Sequence, residues 1–255
     1  MMRKDGPVGL MAAIPQELAA HADLVIRDER VIAGCRFRRG RLGAEDLVAV
    51  EAGIGKTHAA MVATLLLQEF GCRALLFSGV AGGLDPDLGI GDVVVADRLV
   101  MHDYGARVDG RLKPYQPGVP PIPGFPEETG YALDSDLRQK IKDALEGIDI
   151  GTFGAAATGA EPHRSRLIFG TILTGDIFLN DAVERKRLHR EFGGVAVEME
   201  GAAVAAVAER FGIPVVVVRA LSDLAGSESH MDFPAFLDAA AGIAARVVGR
   251  IVTAL

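Results

Sequence analysis

Apolar runs of strand length recur along the chain and alternate with segments whose apolar positions fall at helical spacing. "VGLMAAI" opens the series at Val8, followed by "ALLFSGVAG" (Ala74–Gly82), "DVVVADRLVM" (Asp92–Met101), "LIFGTILTG" (Leu167–Gly175), "VAVEM" (Val195–Met199) and "PVVVVRALS" (Pro214–Ser222). Between them, Ala59, Ala63, Leu66 and Phe70 predict one helix and the alanine-rich run Ala202–Phe211 a second. Phe233, Phe236, Ala240, Ala244, Val247 and Ile251 predict a third near the end. Strands that are apolar throughout are buried on both faces, so the pattern implies a parallel or mixed sheet covered by helices on both sides. "VIAGCRFRRGRLGAEDLVAVEA" adds an expected antiparallel hairpin centred on "RRGRLG". From Tyr104 to Tyr131 the pattern lapses into a stretch with six prolines, and a loop of that length in a compact domain is typical of a lid, a binding loop or an interface element. Because the α/β style resumes afterwards, one domain over residues 1–255 is expected, with the proline-rich loop at about 104–131 as an excursion.

Composition narrows the function classes. A chain of 255 residues with 49% hydrophobic residues can bury a sizeable core. Its net charge of −7 disfavours nucleic-acid and anionic-membrane surfaces, which reward concentrated positive charge. "RFRRGR" (Arg36–Arg41) therefore reads as an exposed hairpin, not a phosphate track. Cys35 and Cys72 are too isolated for a disulfide framework or a metal site, which fits a reducing, cytoplasmic setting. "HDYG" (His102–Gly105) and "SESHMDF" (Ser227–Phe233) read as polar punctuation without a histidine–cysteine cluster, so no metal is expected. No apolar run is long enough to span a bilayer, and the opening run lacks a secretory cleavage pattern.

Two glycine-rich stretches invite a nucleotide reading. "VEAGIGKT" ends like a phosphate-binding loop, but Val50 stands where that pattern requires its first glycine. "GVAGGL" (Gly79–Leu84) follows a strand without dinucleotide-binding spacing, and no helix pattern begins directly behind it, so no cofactor is expected. Glycines after strands still let a small ligand approach the backbone closely.

"VAVEMEGAAVAAVAERF" then places Glu198 and Glu200 at a strand-to-helix junction among apolar neighbours. An unpaired buried carboxylate is costly, so both need a partner or a site. In an extended strand the two would share a face, with Met199 on the other unless the backbone bends. They could also simply favour the positive end of the following helix.

Several separated pieces carry a resemblance: "VGLMAAIPQEL", "EAGIGKTHAA", "SGVAGGLDPDLGIGDVVVAD", "HD", "TGDIFLN", "AVEMEGAAVA" and "VVVRALSDLAGSESHMDFPAFL". In that order they resemble the 5′-methylthioadenosine/S-adenosylhomocysteine nucleosidases of the purine nucleoside and uridine phosphorylase superfamily. The resemblance implies an α/β fold, a single-domain three-layer α/β/α sandwich around a twisted mixed sheet, usually as a homodimer. It implies a small-molecule nucleoside as substrate, with no nucleic-acid or membrane partner.

Residue by residue, the resemblance implies that Glu17 activates a water and Asp223, helped by Ser222, protonates N7 of the purine. It implies that Glu200 accepts the ribose hydroxyls. Met199 matches a residue packed against the ribose, and Glu198 lies beside the nucleoside. Phe178 and Leu179 match positions that hold the purine; Ile54 and Phe233 match apolar positions near the base and the 5′ substituent; Ala13, Ala81 and Gly82 would line the pocket. Where phosphorylases of the superfamily carry Arg-x-Gly-Ser/Thr, this chain reads "FSGV", with Phe77 and Val80, which favours hydrolysis over phosphorolysis. A phosphorylase, a futalosine-type nucleosidase and a non-catalytic nucleoside-binding protein are the alternatives. Val80 replaces a serine common in the nucleosidases, "HDYG" lacks the second aspartate of a frequent "HDAD", and the proline-rich loop does not match.

Overall fold

The computed structural model describes residues 5–123, 129–153, 163–226 and 229–255. Part of the proline-rich stretch and the Ser227–Glu228 pair of "SESHMDF" lie outside these residues. In chain order the first elements are β1 (Val8–Ala12), α1 (Pro15–Ala19), β2 (Leu24–Ile32), β3 (Cys35–Leu42), β4 (Glu45–Glu51), α2 (Lys56–Glu69), β5 (Ala74–Gly83) and β6 (Val93–Met101). There follow β7 (Gly105–Val108), β8 (Arg111–Pro114), β9 (Tyr131–Ala132), α3 (Ser135–Leu145), β10 (Thr152–Phe153), β11 (His163–Arg164) and β12 (Leu167–Thr174). The last are α4 (Ala182–Phe192), β13 (Gly194–Glu198), α5 (Gly201–Phe211), β14 (Val215–Asp223) and α6 (Ser229–Ile251).

The main sheet is mixed, in the order β13-β12-β6-β14-β5-β1-β4-β3-β2. Its central strands β1, β5 and β14 run parallel, and all ten residues of β5 are buried, which is why these segments are predominantly apolar. The sheet also curls back on itself: β13 pairs antiparallel with the end of β5, Ala196 opposite Gly83 and Val197 opposite Gly82. This closure gathers the ends of β5, β13 and β14 at one place.

Helices cover both faces. Leu66 of α2 and Ala202, Val204 and Ala208 of α5 pack on one core, with Phe77 and Val217. Ala240, Ala244, Val247 and Ile251 of α6 and Ile141 of α3 pack on the other, with Leu76 and Val218. The three-layer expectation thus holds. The helices α3 and α4 are started by aspartates: Asp134 accepts the N–H groups of Asp136 and Leu137 at 3.0 and 2.9 Å, and Asp181 those of Val183 and Glu184 at 2.8 and 3.1 Å.

Three expectations need correction. "RRGRLG" is not the centre of a hairpin: Arg38–Leu42 lie in the body of β3, and the turns fall at Ala33–Gly34 and Gly43–Ala44, giving a three-stranded meander. Gly34 and Gly43 have φ of 78° and 60°, a conformation glycine adopts freely, whereas Gly40 sits in extended pairing where a side-chain carbon would fall 2.2 Å from the Val25 carbonyl oxygen. The stretch after Tyr104 is not structureless throughout, since Gly105–Val108 and Arg111–Pro114 pair as a hairpin. "SESHMDF" is not only punctuation, because α6 begins at Ser229.

Candidate active site

The strand ends gathered by the β5–β13 closure, with the loops after β1, β4 and β12, enclose a cavity of about 480 Å3. Every residue that the resemblance assigns to the site lines it: Glu17, Glu200 and Asp223; Ala13, Ala81 and Gly82; Ile54, Phe178, Leu179 and Phe233; Glu198, Met199 and Ser222. Ile14, Val80, Ile177 and Val197 complete the wall; of these four only Val80 was singled out in the sequence.

Glu17 stands in the first turn of α1, which Pro15 starts directly behind β1. Its Oε2 accepts the N–H groups of Ala13 at 2.7 Å and Ile14 at 3.2 Å, and its Oε1 accepts that of Val80 at 2.9 Å. The side chain is therefore held by backbone from two strand ends. Burial pushes its carboxyl above the usual range, against the pull of the Arg219 guanidinium and those three N–H groups.

The two glutamates of "VEMEG" separate. β13 ends at Glu198, and the backbone bends so that Glu200, at φ −137° and ψ −40°, becomes the residue preceding α5. The bend turns Met199 into the cavity as well. Glu198 performs the helix-start role: its carboxylate accepts N–H groups from Gly201, at 2.9 and 2.8 Å, and from Glu200, at 3.1 Å, together with the Thr174 hydroxyl. Glu200 instead accepts the Gly55 N–H from the loop after β4 at 2.8 Å. Burial, reinforced by the charge of Glu198 and opposed by Arg219, pushes the Glu200 carboxyl up to about 8.

Arg219 ties these acids together and is the polar residue that the sequence analysis missed. It is fully buried in β14, its Nη2 lies 2.7 Å from Glu198 Oε2 and 3.7 Å from Glu200 Oε2, and its guanidinium sits 4.2 Å above the Phe77 ring. A methyl group on Gly79 would fall 2.5 Å from Glu17 Oε1 and 2.9 Å from Arg219 Nη1, so the absent side chain at Gly79 makes room for both groups. The signal in the sequence is a guanidinium amid "PVVVVRALS", an apolar strand that has no use for a charge without buried acids nearby.

Asp223 ends β14 across the cavity. Its Oδ1 accepts the Ala225 N–H at 2.8 Å, and the Ser222 hydroxyl donates to its Oδ2 at 3.1 Å. Phe178 and Phe233 meet edge to face at 5.8 Å, with Phe178 partly exposed, and form an aromatic side to the pocket. Among the described residues, no cluster of histidine, cysteine and acidic side chains is placed to hold a metal ion.

Comparison with known proteins bears on the chain as a whole. The model of the phosphorylase superfamily matches residues 7–253. A 5′-methylthioadenosine/S-adenosylhomocysteine nucleosidase of Mycobacterium tuberculosis is 46% identical over 249 residues, covering 97% of each chain. A nucleosidase of the same description from Colwellia psychrerythraea, solved in complex with adenine, superposes with a TM-score of 0.82 at 29% identity, covering 100% of this chain and 98% of that one. Futalosine hydrolase of Helicobacter pylori superposes with a TM-score of 0.81, also at 29% identity, over 98% of this chain and 99% of its own. By sequence and fold, this chain belongs to the 5′-methylthioadenosine/S-adenosylhomocysteine nucleosidase family of the phosphorylase superfamily.

Proposed function

We infer that the protein hydrolyses the N-glycosidic bond of 5′-methylthioadenosine, S-adenosylhomocysteine or a related 5′-substituted adenosine and releases adenine. The observation that carries this reading is the convergence of Glu17, Glu200 and Asp223, more than two hundred positions apart at the extremes, on one cavity.

Glu200 accepts hydrogen bonds from the vicinal ribose hydroxyls, for which a carboxylate with two acceptor oxygens is suited, and Met199 packs against the sugar. Phe178 and Phe233 flank the base, with Leu179 beside it, and Ile54 faces the 5′ substituent. Asp223, oriented by Ser222 and the Ala225 N–H, gives its proton to N7 while the C1′–N9 bond breaks and its electron pair moves into the purine. Water attacks C1′ from the side of Glu17, which takes the water's proton. The burial that raises the Glu17 carboxyl suits this role, since a general base works best with a pKa near the operating pH. An acid and a base on opposite faces of a sugar parallel glycoside hydrolysis.

Hydrolysis is favoured over phosphorolysis by charge. A phosphate dianion needs uncommitted guanidinium groups, but Arg219 is already engaged by Glu198 and Glu200, Phe77 lies beneath it, and Glu17 faces the incoming nucleophile. The likeness to the Helicobacter pylori futalosine hydrolase supports a futalosine-type substrate as the second reading. The exposed apolar rim formed by Ile54 and Ile177 suits cover by a second copy, in keeping with a homodimer, and two unpaired cysteines suit a reducing cytoplasm.

The test is to incubate methylthioadenosine, adenosylhomocysteine, 5′-deoxyadenosine, inosine and futalosine with the protein, with and without phosphate, and to identify base and sugar products. Adenine and free 5-substituted ribose without phosphate are expected. A strict phosphate requirement with a sugar phosphate product would refute hydrolysis, and preferential cleavage of futalosine would move the assignment to the second reading.

A further inference from the structure

Three motif fragments in the sequence, "GIGK", "HD" and "TGD", each contribute a charged residue that the proposed chemistry does not use: Lys56, Asp103 and Asp176. They stand beyond the ends of β4, β6 and β12 and meet at the rim of the cavity. Lys56 Nζ lies 2.5 Å from Asp103 Oδ1 and 3.6 Å from Asp176 Oδ2. Asp103 Oδ2 accepts the Asp176 N–H at 2.8 Å, and Asp176 Oδ1 accepts the Lys56 N–H at 2.8 Å. Each of the three thus bonds the other two, and the ring closes through backbone as well as side chains.

The ring's neighbours give it meaning. Gly55, which precedes Lys56, offers α2 no side-chain cap, so Asp176 serves as the cap from 120 positions away. The Gly55 N–H is thereby aimed at Glu200 Oε1, 2.8 Å distant. Ile54 lies just before Gly55 in the cavity wall, and Ile177, Phe178 and Leu179 follow Asp176 directly on the aromatic side. The ring therefore joins the wall beside Glu200 to the wall beside the purine position. Lys56 and Asp103 are each only 18% exposed, so water screens their attraction less than that of a surface pair. Burial pushes the Asp103 carboxyl up, but the Lys56 ammonium and the Asp176 N–H outweigh it and hold it below the usual carboxylate range.

We propose that Lys56, Asp103 and Asp176 form a latch that sets the spacing between the sugar side and the base side of the pocket, so that Lys56 and Asp103 are positioning residues for nucleoside binding. This rests on the nucleosidase reading. A latch that shapes the pocket equally for ground and transition state acts on KM and leaves kcat nearly untouched.

Lys56→Met and Asp103→Asn should each raise KM for methylthioadenosine about tenfold with kcat within about threefold, and the double variant should be no worse than the worse single one. Lys56→Arg, which keeps a cation within reach of both carboxylates, should restore KM to within about threefold of the parent. Unchanged KM in both single variants would overturn the latch. So would effects that add in full, or a lowered melting temperature with KM intact, which would mark a pin for the fold alone. A phosphate requirement in the parent protein would remove the hydrolytic reading, yet the same KM comparison, made in phosphate, would still decide the latch. If the parent cleaves no nucleoside, adenine affinity by calorimetry replaces KM, with the same tenfold loss expected; a parent that binds no adenine would overturn both proposals.

Discussion

Replacing Arg219 with methionine isolates the electrostatics of the buried acid cluster. The native guanidinium lies 2.7 Å from Glu198 and 3.7 Å from Glu200, is drawn towards Glu17, and is fully shielded from water. Removing one partner of a buried ion pair typically costs about 3–5 kcal/mol, because the remaining charge is left desolvated. Methionine fills much of the volume but forfeits the stacking over Phe77, about 1–2 kcal/mol irrespective of pH. The charge part should depend on pH, and its sign follows from linkage. Glu17 and Glu200 are both held above their ordinary value of 4.5 in the fold, with Arg219 pulling each down. A carboxyl raised on folding costs nothing below its unfolded pKa, and its cost accrues as pH climbs towards the folded pKa. Without Arg219 both are raised further; parent and variant carry the same cost until the parent's carboxyl ionises in the fold, so the variant's additional cost accrues above the parent's folded value, for Glu200 from about pH 8. Urea unfolding followed by far-ultraviolet circular dichroism, at one protein concentration, should show a loss of about 1–2 kcal/mol at about pH 6 that grows towards about 3–5 kcal/mol at about pH 9.5. Equal losses at the two pH values would refute the claim that Arg219 serves chiefly to neutralise these acids.

Asp223→Asn keeps an acceptor for the Ala225 N–H but has no proton to give; turnover should fall about 10²–10⁴-fold with nucleoside affinity retained, and unchanged turnover in a steady-state assay would exclude Asp223 as the acid. Gly79→Ala drives a methyl group against Glu17 and Arg219; circular dichroism should show an intact fold, while adenine release drops about 10²-fold through displacement of the base, and full activity would show that Glu17 needs no fixed position. With the Glu200 carboxyl lifted to about 8, deprotonation through that value supplies the charged acceptor for the ribose diol, so KM should fall as pH is raised from 6 towards 8.5. A KM that is flat over that range, or rises, would contradict the assignment of Glu200 to the sugar.

Much of the fold was legible in the sequence because strand burial leaves a strong mark. The long apolar runs of β5 and β14, with helical patterns on either side of them in the chain, mark the centre of a sheet, and the helical stripe from Ala240 to Ile251 states which face of α6 is inward. The short helices α3 and α4 were not anticipated, although Asp134 and Asp181 carry the capping signal, because their apolar stripes are thin and only Ile141, Leu145 and Leu188 are buried. The hairpin centre was misplaced because Arg38–Leu42 is polar enough to resemble a turn, whereas an antiparallel strand with one face in water is expected to be polar at alternate positions.

For the candidate site, the sequence by itself determined which acids were present and which neighbours they had. It could not determine where each carboxylate points, since that depends on contacts between residues far apart in the chain. Two residues separated by one position look equivalent in "VEMEG"; the bend after Glu198 gives one to the start of α5 and Arg219 and the other to Gly55 and the cavity. Arg219 reads as an oddity in a strand until α1, β13 and the bend before α5 bring three glutamates around it, and Lys56, Asp103 and Asp176 become one ring only when three strand ends share an edge of the sheet. Local patterns encode burial and periodicity, which are properties of one segment; charge pairing in a low-dielectric interior belongs to the assembled chain, and tertiary structure alone decided it.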